Sequence, residues 1–148
     1  MLGQSSLEWR ARITVLWILV GFDMTLVFTL KEFDPGSGGL QNLLNLPSQQ
    51  LYLLLLGDAA IRLAPFVLAF LSLALKDDLN RRMNLGLGLM FTIGGAYGLV
   101  PLVTQLSYQL LYDLLTQTVV IAAAVLIFWY AYRWSKDSKP LEVGKASQ

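Results

Sequence analysis

Four ionisable residues, Asp23, Asp58, Arg62 and Asp113, interrupt long apolar stretches of this 148-residue chain. Carboxylates held away from water attract protons, metal cations or amines, because an uncompensated charge at the centre of a bilayer costs about 2.5–3.5 kcal/mol. Asp58 and Arg62 are four residues apart in acid-first order, so on a helix they form an ion pair. Asp23 and Asp113 then remain with no second intramembrane base, and at least one acid is expected to carry a proton or meet a cation. Gln117, one turn beyond Asp113, and Thr92 are the polar neighbours expected to complete one outward-open chamber with Asp23, Asp58, Arg62 and Asp113. The competing structural reading is an ion pair plus water-exposed acids at the mouth of a bundle.

Other chemistries are poorly supplied. The chain has no cysteine and no histidine. Disulfides, thiolate metal sites, the commonest haem ligand and the near-neutral proton shuttle are therefore ruled out. The acids have no evident nucleophile or metal partner beside them, so no catalytic residue, metal or cofactor is expected, and an enzyme ranks third among the readings. A net charge of +1 and the lack of a basic face exclude a nucleic-acid partner.

The elements that must position these residues are four apolar runs, residues 13–30, 51–75, 84–103 and 109–132. Hydrophobic residues make up 55% of the chain and charged ones 14%, far from the roughly 25% charged of soluble domains. At ~1.5 Å per residue each run can cross a hydrocarbon core of about 30 Å. Arg10 and Arg12 precede the first run as in a signal peptide, yet no small-x-small cleavage site follows, so it reads as a retained helix. Ser5-Ser6-Leu7-Glu8 has capping-box spacing and predicts a short interfacial helix before it. The fold class that follows is all-α, an integral membrane four-helix bundle formed by a single transmembrane domain over residues 1–148.

Orientation follows from Lys and Arg. Nine of the eleven lie before run one, between runs two and three or after run four, against Lys31 alone on the opposite side. That bias puts both termini in the cytoplasm and the bundle in the cell inner membrane, as an antiparallel, multi-pass arrangement. Residues 32–50 form an outer loop that opens with turn residues Asp34 to Gly39. In it Leu40, Leu43, Leu44 and Pro47 surround Gln41, Asn42 and Asn45 at helical spacing, which predicts a short interfacial helix. Residues 76–83 read as a brief inner loop that makes runs two and three neighbours, with Asn80 capping run three. A second outer loop is expected around residues 101–108.

Counted from the outer ends at ~1.5 Å per residue, Asp23 and Asp58 lie about 12 Å deep and Asp113 about 9 Å. Arg62 starts deeper but leans back toward Asp58. Each of runs two to four also carries a stripe of small or polar residues: Asp58, Arg62, Pro65, Ala69 and Ser72; Asn84, Gly88, Thr92, Gly95 and Gly98; Asp113, Gln117, Val120, Ala124 and Ala131. Leu-rich faces gain nothing by associating in lipid, so these stripes should turn inward. Gly88, Gly94, Gly95 and Gly98, the second and fourth making a GxxxG, are the expected helix-packing positions.

Leu16-Trp17, Pro65, Leu71-Ser72, Leu75-Lys76, Asn80-Arg81, Asn84, Gly88 and Trp129-Tyr130-Ala131 before Trp134 resemble a widespread family of small prokaryotic four-helix membrane proteins of unassigned function. The resemblance spans roughly residues 10–135 and is sharpest over LSLALKDDLNRRMNLGLG. It implies architecture and topology, not chemistry. An acid found late in the first span of that family aligns near Phe28 rather than Asp23.

Two functions are expected. One is a carrier or sensor whose outward-facing acids bind a proton, a cation or a small amine. The alternative is an accessory or scaffolding subunit of a larger membrane complex. The partners expected are the lipid bilayer and either another membrane protein or a second copy of this chain.

Overall fold

The computed structural model describes residues 2–33, 45–104 and 108–137. These form four helices: α1 (Leu2–Phe33), α2 (Ser48–Ala74), α3 (Asp77–Thr104) and α4 (Tyr108–Asp137). All four are long and apolar enough to cross a membrane, and the chain is a multi-pass membrane protein. Their outward surfaces carry residues such as Phe22, Leu63, Val67 and Ile93, each more than half exposed, as lipid-facing positions are.

Several helices outrun their apolar cores. α1 continues without a break from Leu2, so residue 5 lies inside it rather than at a cap. Glu8 pairs with Arg12 one turn on, and no separate interfacial helix precedes the span. The expected inner loop shrinks to Leu75 and Lys76. Leu75 turns to extended backbone with its N–H still bonded to Leu71 O at 2.9 Å, and α3 starts at once with Asp77 and Asp78 in its first turn. Acids there favour the positive end of the helix dipole, which explains why this charged segment coils instead of looping. α3 also runs through Pro101 to Thr104, where a loop was expected. The interfacial helix proposed around residues 40–47 falls mainly outside the described residues, and α2 begins only at Ser48.

Packing follows the small-residue stripes. α1 packs against α2 and α4, and α3 packs against α4. α2 and α3 touch only slightly although two residues join them, which corrects the expectation that they are packed neighbours. Each has one stripe to offer. That of α2 buries Pro65, Ala69 and Ser72, with Thr14 of α1 donating to Ala69 O at 3.4 Å. The stripe of α3 goes to α4. A Cβ at Gly88 would stand 2.9 Å from Phe128 N and 3.1 Å from Ala124 O, and one at Gly95 2.6 Å from the Ile121 side chain. The core between α1 and α4 holds Ile13, Trp17, Val20, Val120, Ala123, Ile127 and Ala131.

Candidate functional site

Beyond that core, α1, α3 and α4 separate around a cavity of about 480 Å³. From α1 it receives Asp23, Met24, Val27 and Phe28, positions that share one helical face. From α4 come Asp113, Thr116, Gln117 and Val120, again at three- and four-residue spacing, and from α3 Met90, Phe91, Gly94, Gly95 and Gly98. Gln117 is held in the wall because its Nε2 donates to Gly95 O at 3.0 Å. Thr116 turns its hydroxyl to Asp113 O at 3.1 Å.

Asp23 is the unusual member. Its Oδ2 is buried and has no hydrogen-bond partner among the described residues. A buried carboxylate oxygen left unmatched costs about 1–3 kcal/mol or more, so Asp23 is kept at a cost to the fold. Two acids from two helices, one amide and Thr116 thus share a chamber whose other walls are methionine, phenylalanine, valine and glycine.

Asp58, Arg62 and Thr92 do not join it. Arg62 Nε lies 2.6 Å from Asp58 Oδ2, with the side chains 16% and 30% exposed. Arg62 Nη1 donates to Thr29 Oγ1 at 3.1 Å, tying α2 to α1. Its guanidinium also stands 5.4 Å from the centre of the Phe28 ring, so it meets a wall residue of the cavity without lining the cavity. The reason is topological. α2 packs on α1 and scarcely touches α3 or α4, so nothing on it can close a chamber between those helices. Thr92 returns its hydroxyl to Gly88 O at 2.7 Å within α3. Gly94 differs from the other three glycines, since a Cβ there would meet nothing within 4 Å. It opens the chamber and brings no helix closer.

A second polar cluster, at the end of the bundle that carries the α2–α3 turn, escaped sequence reasoning. Asn84 is its hub and is wholly buried, as are Asn80 and Ser72. Trp17 Nε1 donates to Asn84 Oδ1 at 2.6 Å. Asn84 Nδ2 donates to Asn80 O at 2.8 Å and Asn80 Oδ1 at 2.5 Å, and reaches Ser72 Oγ at 3.3 Å. Asn80 does not cap α3. It sits in that helix's first turn, and its Nδ2 donates at 2.5 Å to Ser72 O in the last turn of α2, satisfying a carbonyl the helix end leaves open. Arg10 adds a clamp, with Nε donating to Asp77 Oδ1 at 2.9 Å and Nη1 to Leu73 O at 2.7 Å. The signals in the sequence were the Asn80–Asn84 spacing of one turn and the places of Ser72 and Asn84 on inward stripes. Its polar groups answer one another, and the cluster is structural.

Among the described residues no three acids, histidines or cysteines come together to hold a metal. No family model, curated protein or solved structure matches this chain. The resemblance to small four-helix membrane proteins therefore rests on its quoted residues, many of which (Trp17, Pro65, Ser72, Asn80, Asn84, Ala131 and Trp134) are buried packing positions.

Proposed function

We propose that this protein binds a cation or small amine at Asp23 and Asp113, in the outer half of an antiparallel four-helix bundle with both termini in the cytoplasm of a cell whose inner membrane it crosses. It acts as a carrier or a sensor of that ligand. The observation that carries the reading is the meeting of two acids from two helices, Asp23 and Asp113, with Gln117 on the wall of one cavity. The orientation is supported by the nine-to-one distribution of Lys and Arg, and the antiparallel order by contacts that run Arg10 to Leu73, Thr14 to Ala69 and Thr29 to Arg62. The chain has no cysteine, so single cysteines at Ser37 and Ser138 should label from opposite faces of intact cells. Labelling of both from outside would overturn the topology.

Ligand binding to the folded state raises its melting temperature. Ethylammonium is expected to stabilise the purified protein and to lose that effect in Asp23→Asn. A shift independent of Asp23, or none with any cation, would remove the site.

The accessory-subunit reading is supported by the first half of α2. Tyr52 is 79% exposed, and Leu53, Leu54, Leu55 and Leu56, which cover a full turn, are all more than half exposed. A photocrosslinker at Leu53 that captured one defined protein, in place of lipid, would put this reading ahead.

A further inference from the structure

Resting on the acidic-site reading above, we infer that the cavity takes an amphiphilic organic monocation: an ammonium or phosphonium centre carrying an aromatic or branched apolar body. The carboxylates of Asp23 and Asp113 meet the charge, and Met24, Met90, Phe28 and Phe91 receive the body. Size is the first ground. At about 480 Å³ the chamber falls within the roughly 300–1,000 Å³ range of sites for drug-sized ligands, and a bare inorganic cation or methylammonium would leave most of it unfilled. Water is a poor occupant of the remainder, because each molecule needs 2–4 polar partners and most of the wall offers none.

The wall chemistry is the second ground. Hard cations are held by six or more oxygen atoms, whereas the oxygens here are few and come with two thioethers and two aromatic rings. Methionine repacks around bodies of different shape, and aromatic faces attract organic cations. The third ground is Gly94. Alanine would fit there without contact and would favour the helix by about 0.5–1 kcal/mol, so glycine at this position leaves volume open that helix packing does not require.

The test is equilibrium binding of radiolabelled tetraphenylphosphonium to the full-length protein in lipid nanodiscs. Neutral triphenylphosphine oxide and tetramethylammonium serve as companion probes. The expected result is saturable tetraphenylphosphonium binding, weakened about tenfold or more in Asp23→Asn and in Asp113→Asn, with the neutral compound failing to saturate. Gly94→Leu fills the chamber from the opposite wall and should abolish binding at a melting temperature no lower than the parent's, which separates loss of the site from loss of the fold. Equal binding of the neutral compound, or binding that survives all three substitutions, overturns the inference. Asp23-dependent binding of tetramethylammonium without tetraphenylphosphonium overturns the ligand class and leaves the acidic site standing. Binding of no cation overturns both.

Discussion

The two polar clusters of this protein use similar residues to opposite ends. Around Asn84, at the α2–α3 turn, an indole N–H, two amides and a hydroxyl are buried together and answer one another within 3.4 Å. Around Asp23 a carboxylate oxygen is just as shielded and answers nothing among the described residues. A fully connected network rigidifies a fold, while a partly satisfied one costs stability. The same bundle thus has an end where polarity fastens three helices and an end where a buried acid oxygen stands beside a cavity without a bond of its own among the described residues. Location alone did not separate them, since Ser72 and Asn84 of one and Asp113 and Gln117 of the other lie on inward stripes. Completion of hydrogen bonds did.

The contrast breaks first at Asn84. Asn84→Ala leaves the Trp17 indole N–H and the Asn80 amide oxygen short of partners, at roughly 1–3 kcal/mol for each orphaned group, and should destabilise by about 3–5 kcal/mol in denaturant titrations of the detergent-solubilised protein. A loss under 1 kcal/mol would mean water replaces the hub. Next come the glycines. Gly88→Ala drives a Cβ against the α4 backbone and should cost about 1–3 kcal/mol, whereas Gly94→Ala should gain up to about 1 kcal/mol. Melting curves of the pair in parallel decide it, and equal losses at both would show that Gly94 packs after all.

Arg62 lies between the two extremes. Arg62→Ala removes an ion pair and the bond to Thr29 that links two helices, so it should cost about 2 kcal/mol against about 1 for Asp58→Asn. The reverse order in the same unfolding assay would place the main value of the pair on Asp58. The smallest expected effect is the sharpest for function. Asp23→Leu should leave stability within about 0.5 kcal/mol of the parent, or raise it, because functional groups are commonly retained at a cost to the fold. The same variant should lose cation binding. A destabilisation as large as that of Asn84→Ala would move Asp23 from the site to the scaffold.

Much of the architecture is legible in the sequence. Apolar run length located all four helices, because a bilayer sets a minimum length that loops cannot imitate. The acid-first spacing of Asp58 and Arg62 identified their pair, since an i, i+4 contact is decided within one helix. Helix ends were read less well. Residues 77–83 and 101–104 are helical where charge and proline suggested loops: Asp77 and Asp78 suit the positive end of the α3 dipole, and the helix runs through Pro101.

Composition and periodicity by themselves therefore determined the class, the four spans, the inward stripes and the acids that must find company. Those properties depend on the solvent and on neighbours within one helix. Which acids meet was decided only by tertiary structure. The side on which α2 leans is set by how its Pro65, Ala69 and Ser72 face fits α1, and that choice withdrew Asp58 and Arg62 from the chamber while leaving Asp23 and Asp113 in it. The satisfaction of Asn80 and Asn84 was equally invisible, because their partners Trp17 and Ser72 lie on other helices. Hydrogen bonds between helices depend on rotations about each axis of a few tens of degrees, and apolar patterning tolerates wider variation than that.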